Sequence, residues 1–197
     1  MTTQAMFITG GLLFGLATIY FWFAVSSKEF NAPALVAAVT TLSYLLMVDG
    51  SLAVGTDAVH WTRWVGYMIS CPLIFYTIAC GVSIRKRFYY AATAGVVMAS
   101  GAVGAAVGGW LMWASFAFGS VMYILLLMSL YKESDPDQLR AVEHYIWFGW
   151  SMFPIVFVLA PVGISVIGAV TASGLYLILD LYTKVVFYQD VLDLHLR

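Results

Sequence analysis

The chain has 197 residues, of which 62% are hydrophobic and 10% charged, with a mean hydropathy of +0.92 and a formal net charge of −1. A soluble domain carries about 25% charged residues, so this composition is that of a membrane protein. The near-neutral charge argues against a nucleic-acid partner, and the length leaves little room for a soluble domain beside the spans.

A helix needs about 20 apolar residues to cross the hydrocarbon core, and seven segments qualify. The first runs from about Ala5 to Val25. No basic region or cleavage site precedes it, so it reads as a span rather than a removed signal peptide. The second runs from about Pro33 to Val54, with Asp49 toward its far end. A short loop from Gly55 to His60, holding Asp57, leads to the third, about Trp61 to Val82, closed by Arg85, Lys86 and Arg87. The fourth, about Phe88 to Val107, is rich in Gly and Ala. Gly108 and Gly109 turn the chain into the fifth, about Trp110 to Tyr131. Lys132 to Arg140 forms the longest polar loop. The sixth span runs from about Glu143 to Pro161, and a turn at Val162–Ile164 leads to the seventh, which frays near Leu192. The runs lack the period-two alternation of a barrel. The expectation is an all-α, seven-transmembrane-helix bundle, with residues 1–197 as one domain in the cell membrane.

Charge placement sets the orientation. Of nine Lys and Arg, Arg63 and Lys184 lie within spans; the others (Lys28, Arg85, Lys86, Arg87, Lys132, Arg140, Arg197) fall at the ends of odd-numbered spans. By the positive-inside rule those ends are cytoplasmic, with the N-terminus outside and the C-terminus inside. Glu143, Asp190, Asp193 and His195 then lie near the cytoplasmic face, where solvated charges are ordinary. Cys71 and Cys80 fall in one apolar segment and match no metal spacing, so neither a disulfide nor a metal site is expected.

The seventh span carries the chemistry. Asp180 and Lys184 lie four residues apart, on one helical face. An ionisable residue at that depth costs at least ~2.5–3.5 kcal/mol and marks a functional site. A packing ion pair is one reading. The other makes Lys184 a reactive amine with Asp180 as counter-charge, since a desolvated amine is a nucleophile toward aldehydes. Trp150, Phe153 and Phe157 share one face of the sixth span beside Pro154. Ser70, Cys71 and Pro72 sit at mid-depth in the third, and Arg63 sits toward its outer side. A long apolar slot beside a reactive amine suits an elongated apolar aldehyde.

These residues resemble the microbial rhodopsins: Asp180-x-x-x-Lys184 in the last span, Trp150-x-x-Phe153-Pro154 in the sixth, and Arg63 with Ser70-Cys71-Pro72-Leu73 in the third. The resemblance covers all seven spans. It implies that Lys184 carries all-trans-retinal as a Schiff base, with Asp180 as counterion and Arg63 on its extracellular side. Trp150, Phe153 and Phe157 would line the polyene from the sixth helix, and Tyr67, Ser70 and Cys71 from the third. It also implies a lipid-embedded homo-oligomer, a trimer by family analogy. Small residues on the fourth span, among them Gly95 and Gly101, permit close helix packing.

The departures carry as much weight. Outward proton pumps of that family hold a carboxylate three residues after the arginine, where this chain has Gly66, and often a donor eleven residues further on, at Thr77. The resemblance is strongest to the schizorhodopsins, inward proton pumps, which share the short loops, the Ser-Cys-Pro run and the lone aspartate of the seventh helix. They carry Phe at the position of Gly66 and Glu at that of Thr77. Gly66 is expected to leave space for water beside the amine. The resulting expectation is light-driven inward proton transport, with Arg63 repelling protons on the outer side and Thr77, Tyr76 and water relaying them inward; Asp180, Arg63, Ser70 and Thr77 are the expected functional residues. A photosensor without net transport is the alternative. A seven-helix transporter without retinal is a third reading, and none of the three is an enzyme. Asp49 reads as an interfacial aspartate, or else as a relocated carboxylate beside Arg63.

Overall fold

The structure, a computed structural model, describes residues 2–25, 31–50, 53–54, 59–79 and 82–195, with the backbone alone at 53–54, 59–60, 138 and 193–195. Lys28, Asp57, Cys80 and Arg197, and the side chains of His60, Asp193 and His195, lie outside it.

Seven helical spans form the bundle. The first five are α1 (Thr3–Ala24), α2 (Ala32–Asp49), α3 (Trp61–Ile78), α4 (Ile84–Val107) and α5 (Gly109–Glu133). The sixth is α6 (Pro136–Tyr145), a π-helical segment (Ile146–Trp150) and α7 (Met152–Leu159). The seventh is α8 (Ala169–Asp180), a second π-helical segment (Leu181–Val186) and α9 (Phe187–His195). Six spans are long and apolar enough to cross a bilayer. The third, α3, carries Arg63 and several hydroxyl side chains that keep it out of that group. Leu12, Leu16, Trp22 and Phe23 on α1, and Phe118, Ile124 and Met128 on α5, are exposed. In a membrane protein such residues meet acyl chains.

Local chemistry sets the helix ends. Asn31 accepts from the Ala34 N–H at 3.0 Å and donates from Nδ2 to the Phe21 carbonyl at 3.0 Å, so one side chain starts α2 and ties it to α1. Gly50 takes a left-handed conformation, φ +65°, and stops α2 at Asp49, five residues short of the expected Val54. Ala53–Val54, expected as the end of the second span, instead forms a short strand β1, paired antiparallel with β2 (Val59–His60) in the expected loop. The expected polar loop from Lys132 to Arg140 is also corrected. Glu133 pairs with Lys86 at 2.7 Å and accepts from the Tyr90 hydroxyl at 3.0 Å, which holds the last turn of α5. Because α6 starts at Pro136, only Ser134 and Asp135 separate the two helices. Likewise Arg85, Lys86 and Arg87 open α4 rather than closing the third span.

The two π-helical segments face each other across the sixth and seventh spans. A Cβ on Gly149 would lie 2.5 Å from Thr183 Cγ2, so glycine permits this approach. The first segment lies just before Pro154, which lacks an N–H for the Trp150 carbonyl and crowds it. In the second, the Thr183 hydroxyl donates to the Leu179 carbonyl at 2.7 Å, competing with the backbone ladder. Such widened turns recur at functional sites, and the second one contains Lys184.

Gly66 also overturns an expectation. A Cβ there would lie 2.9 Å from Ser43 Cβ and 3.0 Å from Ser43 Oγ. The space is filled by α2, whose Ser43 hydroxyl donates to the Thr62 carbonyl at 2.9 Å. Glycine here lets two helices touch rather than leaving a water site. Gly66→Ala is therefore expected to lose about 1–3 kcal/mol of stability through overpacking. Combining it with Ser43→Gly should cost less than the sum of the two changes, as denaturation of all four forms would show.

Candidate functional site

The centre of the bundle holds one buried ion pair. Lys184 Nζ lies 2.7 Å from Asp180 Oδ1, with the two residues 3% and 0% exposed. The other carboxylate oxygen, Oδ2, accepts from the Tyr44 hydroxyl at 2.8 Å and the Tyr67 hydroxyl at 3.1 Å. One charged group and two hydroxyls thus fix both oxygens of Asp180, which compensates for carrying a charge into a dry interior. Tyr67 also places its ring 4.4 Å from Lys184 Nζ, adding a cation–π contact.

Helix packing positions these groups. Tyr44 stacks on Phe14 with ring centres 5.7 Å apart, and its ring fills the place a Cβ on Gly10 would need. Arg63, 8% exposed, lies over the Tyr176 ring at 4.5 Å and near those of Phe7 and Tyr44 at 5.8 and 5.9 Å. It forms no ion pair with a carboxylate among the described residues. Asp49 is exposed at the last residue of α2.

An apolar cavity with an empty volume of about 880 Å³, its mouth included, reaches Lys184. Of the residues expected to line it, Tyr67, Cys71, Trp150, Phe153, Phe157 and Lys184 do so; Ser70 does not. Ser70 is wholly buried, and its hydroxyl has no hydrogen-bond partner among the described residues. Phe153 lies edge-on to Tyr67 at 5.5 Å and stacks near Tyr176 at 6.0 Å. Phe157 is held between Trp64 and Phe116, with centres 5.8 and 5.5 Å away. Trp150 packs between Phe75 and Phe187, closing the cavity at the end carrying the basic residues of α4. Thr77 stands beyond that closure, its hydroxyl 3.4 Å from that of Tyr188. Tyr76 instead packs on Phe88 and under Arg87, on the α4 side.

The sequence reading missed Tyr44 and the α4–α5 wall, which contributes Met98, Phe116 and Tyr123. Tyr44 had a signal: a hydroxyl in an apolar span needs a polar partner. The wall had none, because its small and aromatic residues read equally well as packing.

The cavity fits an elongated, apolar, conjugated aldehyde. It has aromatic walls, few polar groups and, among the described residues, a single amine whose anion is already placed. The buried indole nitrogen of Trp150 has no hydrogen-bond partner among the described residues, so the lining also retains an unused donor.

Comparison with known proteins agrees with this fit. A family model described as bacteriorhodopsin-like protein matches residues 1–195. Sensory rhodopsin III of Haloarcula marismortui is 27% identical over 202 residues, covering 92% of this chain and 87% of its own. The bacteriorhodopsin-II-like protein of Haloquadratum walsbyi is 28% identical, covering 90% of this chain and 84% of its own. The crystal structure of schizorhodopsin 4 superposes with a TM-score of 0.86 at 29% identity, over 97% of this chain and 98% of that one. The chain belongs to the bacteriorhodopsin-like family of microbial rhodopsins, multi-pass proteins of the cell membrane, and its cofactor is retinal bound as a Schiff base to Lys184.

Proposed function

We propose that this protein moves protons inward across the membrane in response to light. Bound retinal supplies a light-driven change of shape at Lys184 Nζ; the residues around it decide where the proton on that nitrogen goes. Asp180 balances the cation, and Tyr44 and Tyr67 hold Asp180 in place. When the pairing with Asp180 weakens, the proton needs another base.

The observation that carries the direction is the contact at Gly66. Outward pumps hold their acceptor at this position, and here Ser43 closes it. Among the described residues, Asp180 is the one carboxylate paired with Lys184 Nζ, and Arg63 places a positive charge near the Tyr44 and Tyr176 rings. Toward the basic end, which the positive-inside rule makes cytoplasmic, the Thr77–Tyr188 hydroxyl pair offers a relay. Schizorhodopsin 4, one of the structural neighbours, carries the name of the subfamily that the sequence resembles.

Illuminating cells that express the protein tests the direction. The external pH should rise on illumination, and a protonophore should abolish the rise. A fall in external pH would falsify the proposal. Two relatives bear on a second reading, photosensing, because sensory rhodopsins III and I of Haloarcula marismortui match most of this chain at 27% and 26% identity. A photocycle with no pH change on illumination would favour it.

A further inference from the structure

Outside the retinal site, the basic residues of the described chain gather at one end of the bundle, and several have a carboxylate close by. Lys86 pairs with Glu133 at 2.7 Å, and Lys132 adjoins the same residue at the end of α5. Arg140 on α6 has Asp137 three residues before it and Glu143 three residues after, both neighbours on its helical face. Arg85 and Arg87, in the first turn of α4, remain. Neither forms an ion pair among the described residues. Arg87 lies toward α3, over the Tyr76 ring at 5.7 Å. Arg85 is exposed on the outward face of α4.

Below Arg85 that face is apolar. Tyr89, Ala92, Val96 and Val103 follow it at i+4, i+7, i+11 and i+18, one helical stripe, and all four are exposed. Tyr90, Ala94 and Gly104 are the residues that α4 turns to the core. With α5, α4 is the least buried of the six apolar spans. From Arg85 to Val96 the helical rise is about 16 Å, close to half of the ~30 Å hydrocarbon core. An unpaired cation, an amphipathic ring and an apolar stripe one leaflet long therefore stand in line on the membrane face. That order is complementary to a molecule with an anionic head, an interfacial linkage and an acyl chain.

We propose that this face of α4 binds an anionic phospholipid, with its phosphate on Arg85 and an acyl chain along Tyr89, Ala92 and Val96. A zwitterionic lipid fits less well, because its own cation would meet the charges of Arg85 and Arg87. A free phosphate would gain the charge but none of the apolar contact. The binding does not depend on the direction in which protons move.

Native mass spectrometry of the pigmented protein tests the site, with phosphatidylglycerol or phosphatidylcholine of the same chains added to the detergent. Phosphatidylglycerol should stay bound in preference. Arg85→Gln should lower its retention about fivefold, the worth of one basic residue at an anionic surface. Arg140→Gln should leave retention as it was. Glycerol phosphate in excess should not displace the lipid. The visible band of Arg85→Gln should be unchanged, since Arg85 does not line the cavity, and that band shows that the variant is folded. Equal retention of the two lipids overturns the proposal, and so does unchanged retention in Arg85→Gln. An equal loss in Arg140→Gln would mean a diffuse basic surface, and displacement by glycerol phosphate would mean a site for phosphate alone. Either result contradicts a lipid site on α4.

Discussion

Asp180→Asn is expected to lose the visible absorption band at neutral pH in favour of one in the near ultraviolet, and to abolish light-driven transport. Asparagine keeps the shape of the side chain, and its carbonyl can still accept from the Tyr44 and Tyr67 hydroxyls. What it removes is the negative charge that sits 2.7 Å from Lys184 Nζ. At an effective dielectric constant of about 20, that attraction is on the order of 6 kcal/mol. Each ~1.4 kcal/mol is a factor of ten in proton occupancy, so a nitrogen without this partner gives up its proton at neutral pH. Arg63 adds to the effect, because its charge near Tyr44 and Tyr176 is then balanced by no carboxylate in the cluster. Tyr44→Phe is the control. It removes one hydrogen bond to Oδ2, keeps the charge, and should keep a visible band. An unchanged spectrum in Asp180→Asn would show that another group balances Lys184.

The second large effect concerns Lys184→Ala. No pigment should form, since among the described residues Lys184 is the one amine lining the cavity. The pigment-free protein should also be destabilised by about 3–5 kcal/mol, because Asp180 is left fully buried with its cation gone. Lys184→Ala with Asp180→Asn removes that stranded charge and should recover much of the loss. Denaturation of the pigment-free single and double variants measures it. Equal stability of the two would mean that Asp180 is already neutral without its lysine.

Much of this was legible in the sequence, for physical reasons. Spans declare themselves because hydrocarbon excludes charge, and a lysine and an aspartate four residues apart inside one stand out for the same reason. The aromatic face of the sixth span follows from helical spacing. What escaped depends on contacts between helices. Tyr44 and Asp180 are 136 positions apart and meet only in the folded bundle. Gly66 suggested a vacancy because sequence shows the missing side chain but not Ser43 filling its place. The π-helical segment at Leu181–Val186 reflects one hydroxyl competing for one carbonyl, and composition does not register that. The stretch from Lys132 to Arg140 looked like a loop because it is polar. Yet Glu133 ends a helix held by Lys86 and Tyr90, and Pro136 begins the next.

The account depends most on a covalent link between one amine and the pigment. Purified protein reconstituted with all-trans-retinal, reduced with borohydride and digested, should yield the peptide containing Lys184 carrying the added mass of a retinyl group. Recovery of that peptide unmodified, or of the retinyl group on another lysine, would contradict it.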